Sequence, residues 1–576
     1  MILNSGAHYM INWASDLRVH LLLAAVWLAL LPLSSAGTLT VDSTGDAGTC
    51  GVGQPYTLRC ALKDAKAGDT IAFNIPACGG VCTVKPGSQF PAITVGTVIV
   101  DGLTQPGSQR DKLLVEIDGS AAGASNGLNV FSGGNTIKGL VINNFKQGVG
   151  ILISTVAGGT IEAGGGPASQ NTVTLNFIGT NPGGDQKAPN QIGIRVTAGA
   201  DKNRIIDNLI SGNTGYGIAL ESSKNAVEDN RVGTDKAGKK AIKNQDGIFV
   251  MGRENEIGPK NLVSGNSGSG IYIAKANAIK NHVFQNKVGT TKSGTAPLGN
   301  NNGVQILEAS DNTVEDNCAS GNYIQGIHIQ GAFGTGGAPT VGANHILRNI
   351  VGPGCNRQPL NPKGNRGDGI HIDASTTNEV IDNTVTGNGA NGVTIEDADL
   401  NVLERNRIGI NDGYGISIQH GNRGAFQNRI GPENHIVTNK LSAVHVEANA
   451  TKNKITQNYM GGNKTRGIEL DPPGPGPAGN DGLPAPNGIA SAVAAAGGHA
   501  RDVTGQARPG CTVEFFVARP DATGRGQGGV YLGSVVANAA GNFTFTQNQL
   551  AGKTITATAT DAAGNTSQFS ANVKIP

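Results

Sequence analysis

Histidine and carboxylate side chains recur at two alternating positions of short segments between residues 328 and 471. His328, His371 and His445 occupy one position, and Asp373 and Glu396 occupy the position two residues further along. Two carboxylates held close together raise the pKa of one of them, which leaves an acid beside a base or nucleophile near neutral pH. Carboxyl groups about 5–5.5 Å apart suit retaining glycosidases, and those about 6.5–9.5 Å apart suit inverting ones. The spacing of the two carboxylates is therefore compatible with either class of glycosidase.

We predict that the catalytic side chains are His371, Asp373, Glu396 and His328. Substrate contacts are predicted at His445, Glu447, Glu469, Asp471 and Tyr414. A lyase would instead need a cation to neutralise a uronate and a base such as histidine. Three alternatives remain: the carboxylates could bind calcium, His328 and His371 with Asp373 could bind zinc, or the whole face is ordinary solvated surface.

Two alternating sequence units must position these side chains. The first is a turn residue followed by alternating apolar positions, in twelve copies from GVGILIS at Gly148 to RGIELD at Asp471. The second is Asn-x-apolar-x-x-Asn-x-apolar, as in NRIIDNLI from Asn203. A base period of 23 residues separates Gly369 from Gly392. Short period-2 strands repeated in this way predict the coils of a parallel β-solenoid, and the fixed leucine frame of a leucine-rich repeat is missing.

Stacked coils place every second residue of the first unit on the outer surface. The first outward column is predicted to be Ala219, Phe249, Tyr272, Gln305, His328, His371, Thr394, Ser417, His445 and Glu469. The second is predicted to be Glu221, Met251, Ala274, Leu307, Gln330, Asp373, Glu396, Gln419, Glu447 and Asp471. The N-terminal half of this face is thus apolar and the C-terminal half polar. The recurrent Asn residues are expected to stack as structural ladders rather than to bind a ligand.

Composition excludes several other classes of protein. Gly 87 and Pro 25 with only 15% charged residues predict dense turns. The chain has no Gly-X-Y period, and 38% hydrophobic residues with low net charge argue against disorder. A formal charge of +2 provides no basic stripe for nucleic acid.

The N-terminus predicts export. An apolar run from Leu21 to Leu33 ends in small residues at Ala36, which predicts a signal peptide over residues 1–36. The run is shorter than the roughly 20 residues that span a bilayer.

The seven cysteines agree with an oxidising compartment. Cys50–Cys60 and Cys78–Cys82 are plausible local disulfides, with a metal site as the alternative. Of the other three cysteines, Cys318 and Cys355 could form a third disulfide. Cys511 is then left over, and we expect it to be buried and unreactive.

Several segments resemble bacterial secreted right-handed parallel β-helix proteins. The two-coil repeat with its VGT loops carries the resemblance over residues 126–471. CALKDA from Cys60 is similar to the Cys-Ser-Leu-Arg-Glu-Ala signature of these proteins. DGLTQPG from Asp101 resembles the turn before their first coil. GNFTFT at 541–546 and ITATATDAAGNTSQFS at 555–570 resemble their closing Ig-like module. The resemblance implies an all-β protein: a right-handed parallel β-helix, or solenoid, followed by a small Ig-like β-sandwich.

The expected organisation has five parts. They are a signal peptide (1–36), a disulfide-containing cap with the first coils (37–125), the parallel β-helix (126–471), a Pro/Gly-rich linker (472–488) and the Ig-like β-sandwich (489–576). Residues 61–67 are expected to form a short helix over the first coil.

Two functions are considered for this chain. We expect a secreted or cell-surface protein, with the periplasm as an alternative, that binds an extended polysaccharide along one face of the solenoid. Cleavage of that glycan by a lyase or glycoside hydrolase activity is left open. The alternative is a non-catalytic adhesin or scaffold. Calcium is the one cofactor considered, and the expected partner is a polysaccharide or cell-surface glycan, with no nucleic acid and no membrane span. Assembly into a homo-oligomer is left open.

Overall fold

The computed structural model describes residues 36–76, 78–155, 167–335, 337–361, 364–474, 476–493, 500–521 and 523–576. The predicted signal peptide lies outside these residues, apart from Ala36. Within the described ranges, short strands pair in parallel between successive coils and form three long sheets. From Ile99–Asp101 onward, each coil contributes one strand to each sheet in turn, and the coils stack as the repeat predicts.

The first sheet carries the strands of the Asn-x-apolar unit. Its described strands are Thr38–Val41, Thr70–Phe73, Ile99–Asp101, Thr136–Lys138, Thr172–Thr174, Arg204–Ile206, Ala226–Glu228, Glu256–Ile257, His282–Phe284, Thr313–Glu315, His345–Leu347, Glu379–Ile381, Val402–Glu404, Arg429–Ile430 and Lys454–Ile455.

The second sheet follows after a tight Asn turn. Its described strands are Cys82–Val84, Val115–Asp118, Leu140–Asn143, Phe177–Ile178, Leu209–Ile210, Arg231–Val232, Leu262–Val263, Lys287–Val288, Cys318–Ala319, Ile350–Val351, Thr384–Thr386, Arg407–Gly409, His435–Val437 and Tyr459–Gly461.

The third sheet carries the glycine-led unit and the predicted site residues. Its described strands are Leu128–Val130, Val149–Ile153, Ile192–Val196, Ile218–Leu220, Ile248–Val250, Ile271–Ala274, Val304–Leu307, Ile327–Gln330, Ile370–Asp373, Val393–Glu396, Ile416–Gln419, Val444–Val446 and Ile468–Leu470.

The inward residues of the three sheets form one continuous apolar core along the solenoid. Ile327, Ile370, Val393 and Ile416 lie directly above one another and are fully buried. Each such side chain contributes about 1.5–3 kcal/mol when buried. Because coils share this core, no coil needs a core of its own.

Buried asparagines line the corners between sheets, and they confirm the predicted ladders. At one corner, Nδ2 of Asn190 donates to Oδ1 of Asn213 at 3.1 Å, and Asn213 donates in the same way to Asn244 at 3.0 Å. The ladder also accepts backbone N–H groups, as between Asn213 N and Asn244 Oδ1 at 3.0 Å. Each amide therefore joins two coils while satisfying buried polar groups.

The N-terminal end is closed by an α-helix at Leu58–Asp64, somewhat earlier than the predicted 61–67. The helix begins there because the Thr57 hydroxyl accepts the N–H of Cys60 at 3.2 Å, which caps the first turn.

All three predicted disulfides form. Cys50–Cys60 and Cys78–Cys82 lie at the N-terminal cap, and Cys318–Cys355 joins a second-sheet strand to the long loop after the next strand of that sheet, Ile350–Val351. Among the described residues Cys511 is the free cysteine, and it is buried as expected.

The C-terminal segment folds into two small antiparallel sheets. One contains Asn487–Val493, Ala500–Gln506 and Asn542–Asn548, and the other contains Gln527–Val536, Thr512–Arg519, Thr554–Thr560 and Val573–Lys574.

This C-terminal module covers the open end of the solenoid. Oε1 of Gln527 accepts Nδ2 of Asn463 at 2.9 Å and so extends an Asn ladder by one rung. The hydroxyl of Thr566 accepts the N–H of Ile455 at 3.0 Å. Because an exposed strand end would template aggregation, these contacts protect the last coil. Across the described ranges, no helix has the length and hydrophobicity that a membrane crossing requires.

Candidate active site on the third sheet

The strand register confirms the two predicted outward columns where they lie on paired strands. His328 pairs with His371 and then with Thr394 in one column. In the other, Gln330, Asp373, Glu396 and Gln419 follow one another on consecutive strands. Adjacent strands lie about 4.8 Å apart, so Asp373 and Glu396 project side by side from neighbouring coils.

His371 lies at the centre of a network of carboxylates. Its Nδ1 lies 3.1 Å from Oδ2 of Asp368, and its Nε2 lies 3.3 Å from Oε2 of Glu396. The other oxygen of Asp368 accepts the N–H of Asn391 at 2.8 Å. His371 is therefore fixed between two carboxylates, one of which is itself held by the backbone of the next coil.

Asp368 was not predicted from the sequence. Strict alternation would place it on the same side as Ile370, which points into the core. Gly369 also faces the core, since a Cβ there would lie 2.4 Å from Cγ1 of Val385. Two consecutive inward residues shift the alternation and bring Asp368 onto the outer face beside His371.

The two stacked histidines have opposite electrostatic environments. Burial would lower the pKa of His371, but hydrogen bonds and charges from Asp368 and Glu396 outweigh it and raise the pKa to about 9. Burial and the charge of His371 lower the pKa of His328 to about 4. The rings lie 5.3 Å apart, edge to face. At neutral pH the pair therefore holds one positive charge, on His371.

Asp373 has an environment that favours its protonated form. Burial raises its pKa, and the neighbouring charges of Glu396 and Asp397 raise it further against the opposing charge of His371. The Asp373 and Glu396 side chains are both half-buried, so solvent reaches them. A carboxyl group with a raised pKa thus stands beside Glu396 on the adjacent coil.

Connections of unequal length shape the surface around these carboxylates. The strands of Asp373 and Glu396 are followed by short turns at 374–378 and 397–401, whereas longer connections at 331–344 and 420–428 follow the coils on either side. Asp397 holds the second of these loops, because its carboxylate accepts the N–H groups of Gly421 and Gly424, both at 2.9 Å. The two carboxylates therefore lie on two coils with short turns, flanked by two coils with longer loops. We call the outer surface of these two coils the third-sheet notch.

The predicted substrate-binding residues form a separate group further along the same face. The Tyr414 ring stacks on His445 with centroids 4.3 Å apart, and His445 is only 6% exposed. Nε2 of His445 lies 3.0 Å from Oδ1 of Asp471. Three coil steps separate the strand of His371 from that of His445, which is about 14 Å at strand spacing.

Glu447 and Glu469 belong to this second group. Glu447 accepts the backbone N–H of His420 at 2.9 Å, and Glu469 accepts the Ser442 hydroxyl at 2.6 Å. Hydrogen bonds within the protein thus occupy these carboxylates in part, and the structure does not bring them to His371.

The N-terminal half of the face carries the predicted apolar strip. Phe249 stacks on Tyr216 with centroids 4.5 Å apart, and Met251, Tyr272 and Leu307 pack around them. The described cluster of histidines and carboxylates around His371 thus lies in the C-terminal half of this face.

The calcium and zinc alternatives gain no support. In the part of the chain that the structure describes, no three His, Cys, Asp or Glu side chains are arranged to hold a metal ion. Hydrogen bonds to carboxylates occupy both ring nitrogens of His371, so neither is available as a metal ligand.

Comparisons with known families agree with this architecture. Residues 115–288 match the family described as right handed beta helix region, and residues 485–574 match the bacterial Ig domain. Residues 239–358 and 361–469 match the family described as periplasmic copper-binding protein (NosD). No curated protein sequence gives a significant match.

Solved structures with a similar fold share few residues with this chain. The A-module of a mannuronan C-5 epimerase from Azotobacter vinelandii is 12% identical, with 73% of this chain and 93% of that chain covered and a TM-score of 0.37. DFA-IIIase from Arthrobacter chlorophenolicus is 12% identical over 64% of this chain and 82% of that chain, with a TM-score of 0.29. Tailspike protein 2 of Escherichia coli O157:H7 bacteriophage CAB120 is 9% identical over 92% and 68% respectively, with a TM-score of 0.32.

Within the described residues, no three His, Cys, Asp or Glu side chains are arranged to hold a metal ion such as copper. Copper also prefers thiolate ligands, and the described cysteines other than buried Cys511 are oxidised. The family matches and the sheet topology agree on the architecture, and the chain is a right-handed parallel β-helix protein that ends in a bacterial Ig-like domain.

Proposed function

We propose that this protein binds an extended polysaccharide across the third-sheet notch and hydrolyses a glycosidic bond there. Asp373 would be the general acid, and Glu396 would be the base or nucleophile. The observation that carries the proposal is the contrast between these neighbours: Asp373 has a raised pKa, whereas Glu396 lies 3.3 Å from a protonated His371. Glycosidases of both stereochemical classes need such a pair of unlike carboxyl groups.

His371 would act as a positioning residue in this mechanism. Fixed by Asp368, it holds the Glu396 carboxylate beside the place where a sugar would lie. His328 lies behind it and, with its low pKa, keeps the second ring neutral. The notch would thus contribute one proton from Asp373 and one fixed negative charge at Glu396.

Charge favours hydrolysis over elimination. A lyase needs a cation that neutralises the uronate and a free base, but His371 is already protonated and paired with two carboxylates. The carboxylates of Asp368, Glu396 and Asp397 outnumber the single cation and would repel an acidic sugar. We therefore expect a neutral glycan in the notch.

The chemistry of the cysteines supports a location outside the cytoplasm. Three disulfides in the described residues are typical of an oxidising compartment. Together with the predicted signal peptide, they support a secreted, cell-surface or periplasmic protein.

The alternative is a scaffold or adhesin without catalysis. It is favoured by the C-terminal group of the face, where His445, Glu447 and Glu469 are engaged in hydrogen bonds within the protein. Such a protein would use the solenoid as a spacer and would not depend on the carboxylates of the notch.

A cleavage screen separates the two proposals. The purified protein is incubated with neutral and uronic polysaccharides, and reducing ends and unsaturated products are followed in wild type, Asp373→Asn and Glu396→Gln. Glu228→Gln serves as a control, since Glu228 is a half-buried carboxylate on the first sheet, away from the notch.

We expect saturated reducing ends from a neutral glycan and a loss of about 100-fold or more in both notch variants, with no loss in the control. Unsaturated products would contradict hydrolysis. Neither cleavage nor binding across the panel would favour the scaffold.

A further inference from the structure

A concave surface lies over the second sheet, away from the third-sheet strands that carry the notch. Described residues between 352 and 360, in the loop after Ile350–Val351, form one wall, and strands Thr384–Thr386 and Arg407–Gly409 form the floor. It encloses about 760 Å³, within the usual range for ligand sites. We call it the second-sheet groove.

The groove forms because several side chains of its floor are small and because a disulfide holds its wall in place. Thr384 stands on the outer surface where the preceding coil carries Ile350, and Thr386 pairs with Gly409 on the next coil. The wall is tied down by the Cys318–Cys355 disulfide. The concavity is therefore built into the fold.

The groove is lined by unpaired positive charge. Arg357 on the wall and Arg407 on the floor are exposed, and neither forms an ion pair among the described residues. Lys440 also lines the groove, where it pairs with Asp412 at 2.9 Å. Two free guanidinium groups thus face a cavity that also offers the apolar surfaces of Leu360 and Ile410.

A row of donors extends from the groove along the solenoid axis. Arg407, His435 and Tyr459 occupy one outward column on consecutive strands. The His435 and Tyr459 rings stack with centroids 4.4 Å apart, and the guanidinium of Arg519 lies 5.6 Å from the other side of Tyr459. Their polar edges provide a line of hydrogen-bond donors with a repeat of about 4.8 Å.

We infer that the second-sheet groove binds an acidic, carboxylate-bearing polysaccharide. Arginine recognises carboxylates through two parallel hydrogen bonds, and the apolar lining suits the C–H faces of sugar rings. A linear uronic-acid polymer offers both features repeatedly along its length. This site is distinct from the third-sheet notch, whose excess of carboxylates would repel the same ligand.

Binding of polygalacturonate tests the inference, with fully methyl-esterified pectin as the matched ligand without carboxylates. Affinities are measured by calorimetry for wild type, Arg357→Gln, Arg407→Gln and the double variant. Arg231→Gln is the matched control, since it occupies the same outward column as Arg407 on an earlier coil outside the groove.

We expect polygalacturonate to bind more tightly than the esterified pectin, with affinity that falls as salt rises. Each groove variant should lose roughly tenfold in affinity and the double variant more, while Arg231→Gln and Asp373→Asn stay at the wild-type value. Equal binding of both pectins, unchanged binding by the double variant, or equally tight binding of single-stranded DNA would overturn the inference. Because Asp373→Asn leaves this site intact, the result does not depend on catalysis in the notch.

Discussion

The paired environment of His371 predicts how the stability of the protein responds to pH. Its pKa is raised from 6.5 to about 9. At about 1.4 kcal/mol per pH unit, this corresponds to about 3 kcal/mol of unfolding free energy. A group whose pKa is raised on folding stabilises the fold fully below its unfolded value. The stabilisation is therefore present below pH 6.5 and is lost as pH rises through 9.

The pKa of His328 shifts in the opposite direction, so its effect on stability has the opposite dependence on pH. Its pKa is lowered to about 4 in the folded protein. Its contribution is therefore present above pH 6.5 and is lost as pH falls toward 4. Only the alkaline limb reports on His371, so the two effects separate on the pH axis.

Asp368→Asn is the sharpest perturbation of this network. It removes one of the two carboxylates that hold His371, while the amide keeps the shape of the side chain. We expect the pKa of His371 to fall by more than one pH unit and the alkaline loss of stability to shrink by about 1–2 kcal/mol. Asp382→Asn is the control, because Asp382 pairs with Arg405 at 2.9 Å on an exposed turn, where an ion pair contributes about 0–1 kcal/mol.

Two measurements read the outcome. Urea unfolding between pH 6 and 9, followed by circular dichroism, gives the unfolding free energy. NMR titration of labelled histidine, assigned with His371→Gln, gives the pKa directly. The reasoning is refuted if wild-type His371 titrates near 6.5, or if Asp368→Asn leaves it near 9.

Two further contacts should affect stability: the Asn ladder at the C-terminal module and the disulfide at the second-sheet groove. Gln527→Ala removes the last rung of an Asn ladder and leaves Asn463 without that partner, so we expect about 1–3 kcal/mol lower stability of the last coils, measured by hydrogen exchange. Gln506→Ala, an exposed amide of the same module, should change exchange little. Replacing Cys318 and Cys355 by Ser should lower the unfolding free energy by about 2–4 kcal/mol and should weaken polygalacturonate binding, because the wall of the second-sheet groove is released. A double variant that unfolds and binds like wild type would contradict this role of the disulfide.

The columns of the third sheet could be predicted because the repeat is regular. With Gly392 and Gly415 fixing the period, alternation alone brings Asp373 next to Glu396 and His371 next to His328. The Asn ladders were predictable for the same reason. Asp368 was missed because Gly369 faces the core and breaks the alternation, which only the packing against Val385 reveals.

The second-sheet groove could not be predicted from the repeat. Its floor comes from small residues on short strands, and its wall comes from an insertion whose path depends on the disulfide at Cys355. The burial of His445 beneath Tyr414 was also hidden, because a pattern of outward positions does not show which outward side chains cover one another.

The most direct test of the proposed activity is the rate of cleavage of the best neutral glycan by wild type, Asp373→Asn and Glu396→Gln as pH is varied. If Asp373 is the acid, wild-type activity should fall as pH rises past its raised pKa, and this alkaline limb should disappear from the residual activity of Asp373→Asn. Glu396→Gln should lose activity at every pH, because it removes the base or nucleophile. Full activity in either variant would contradict the account.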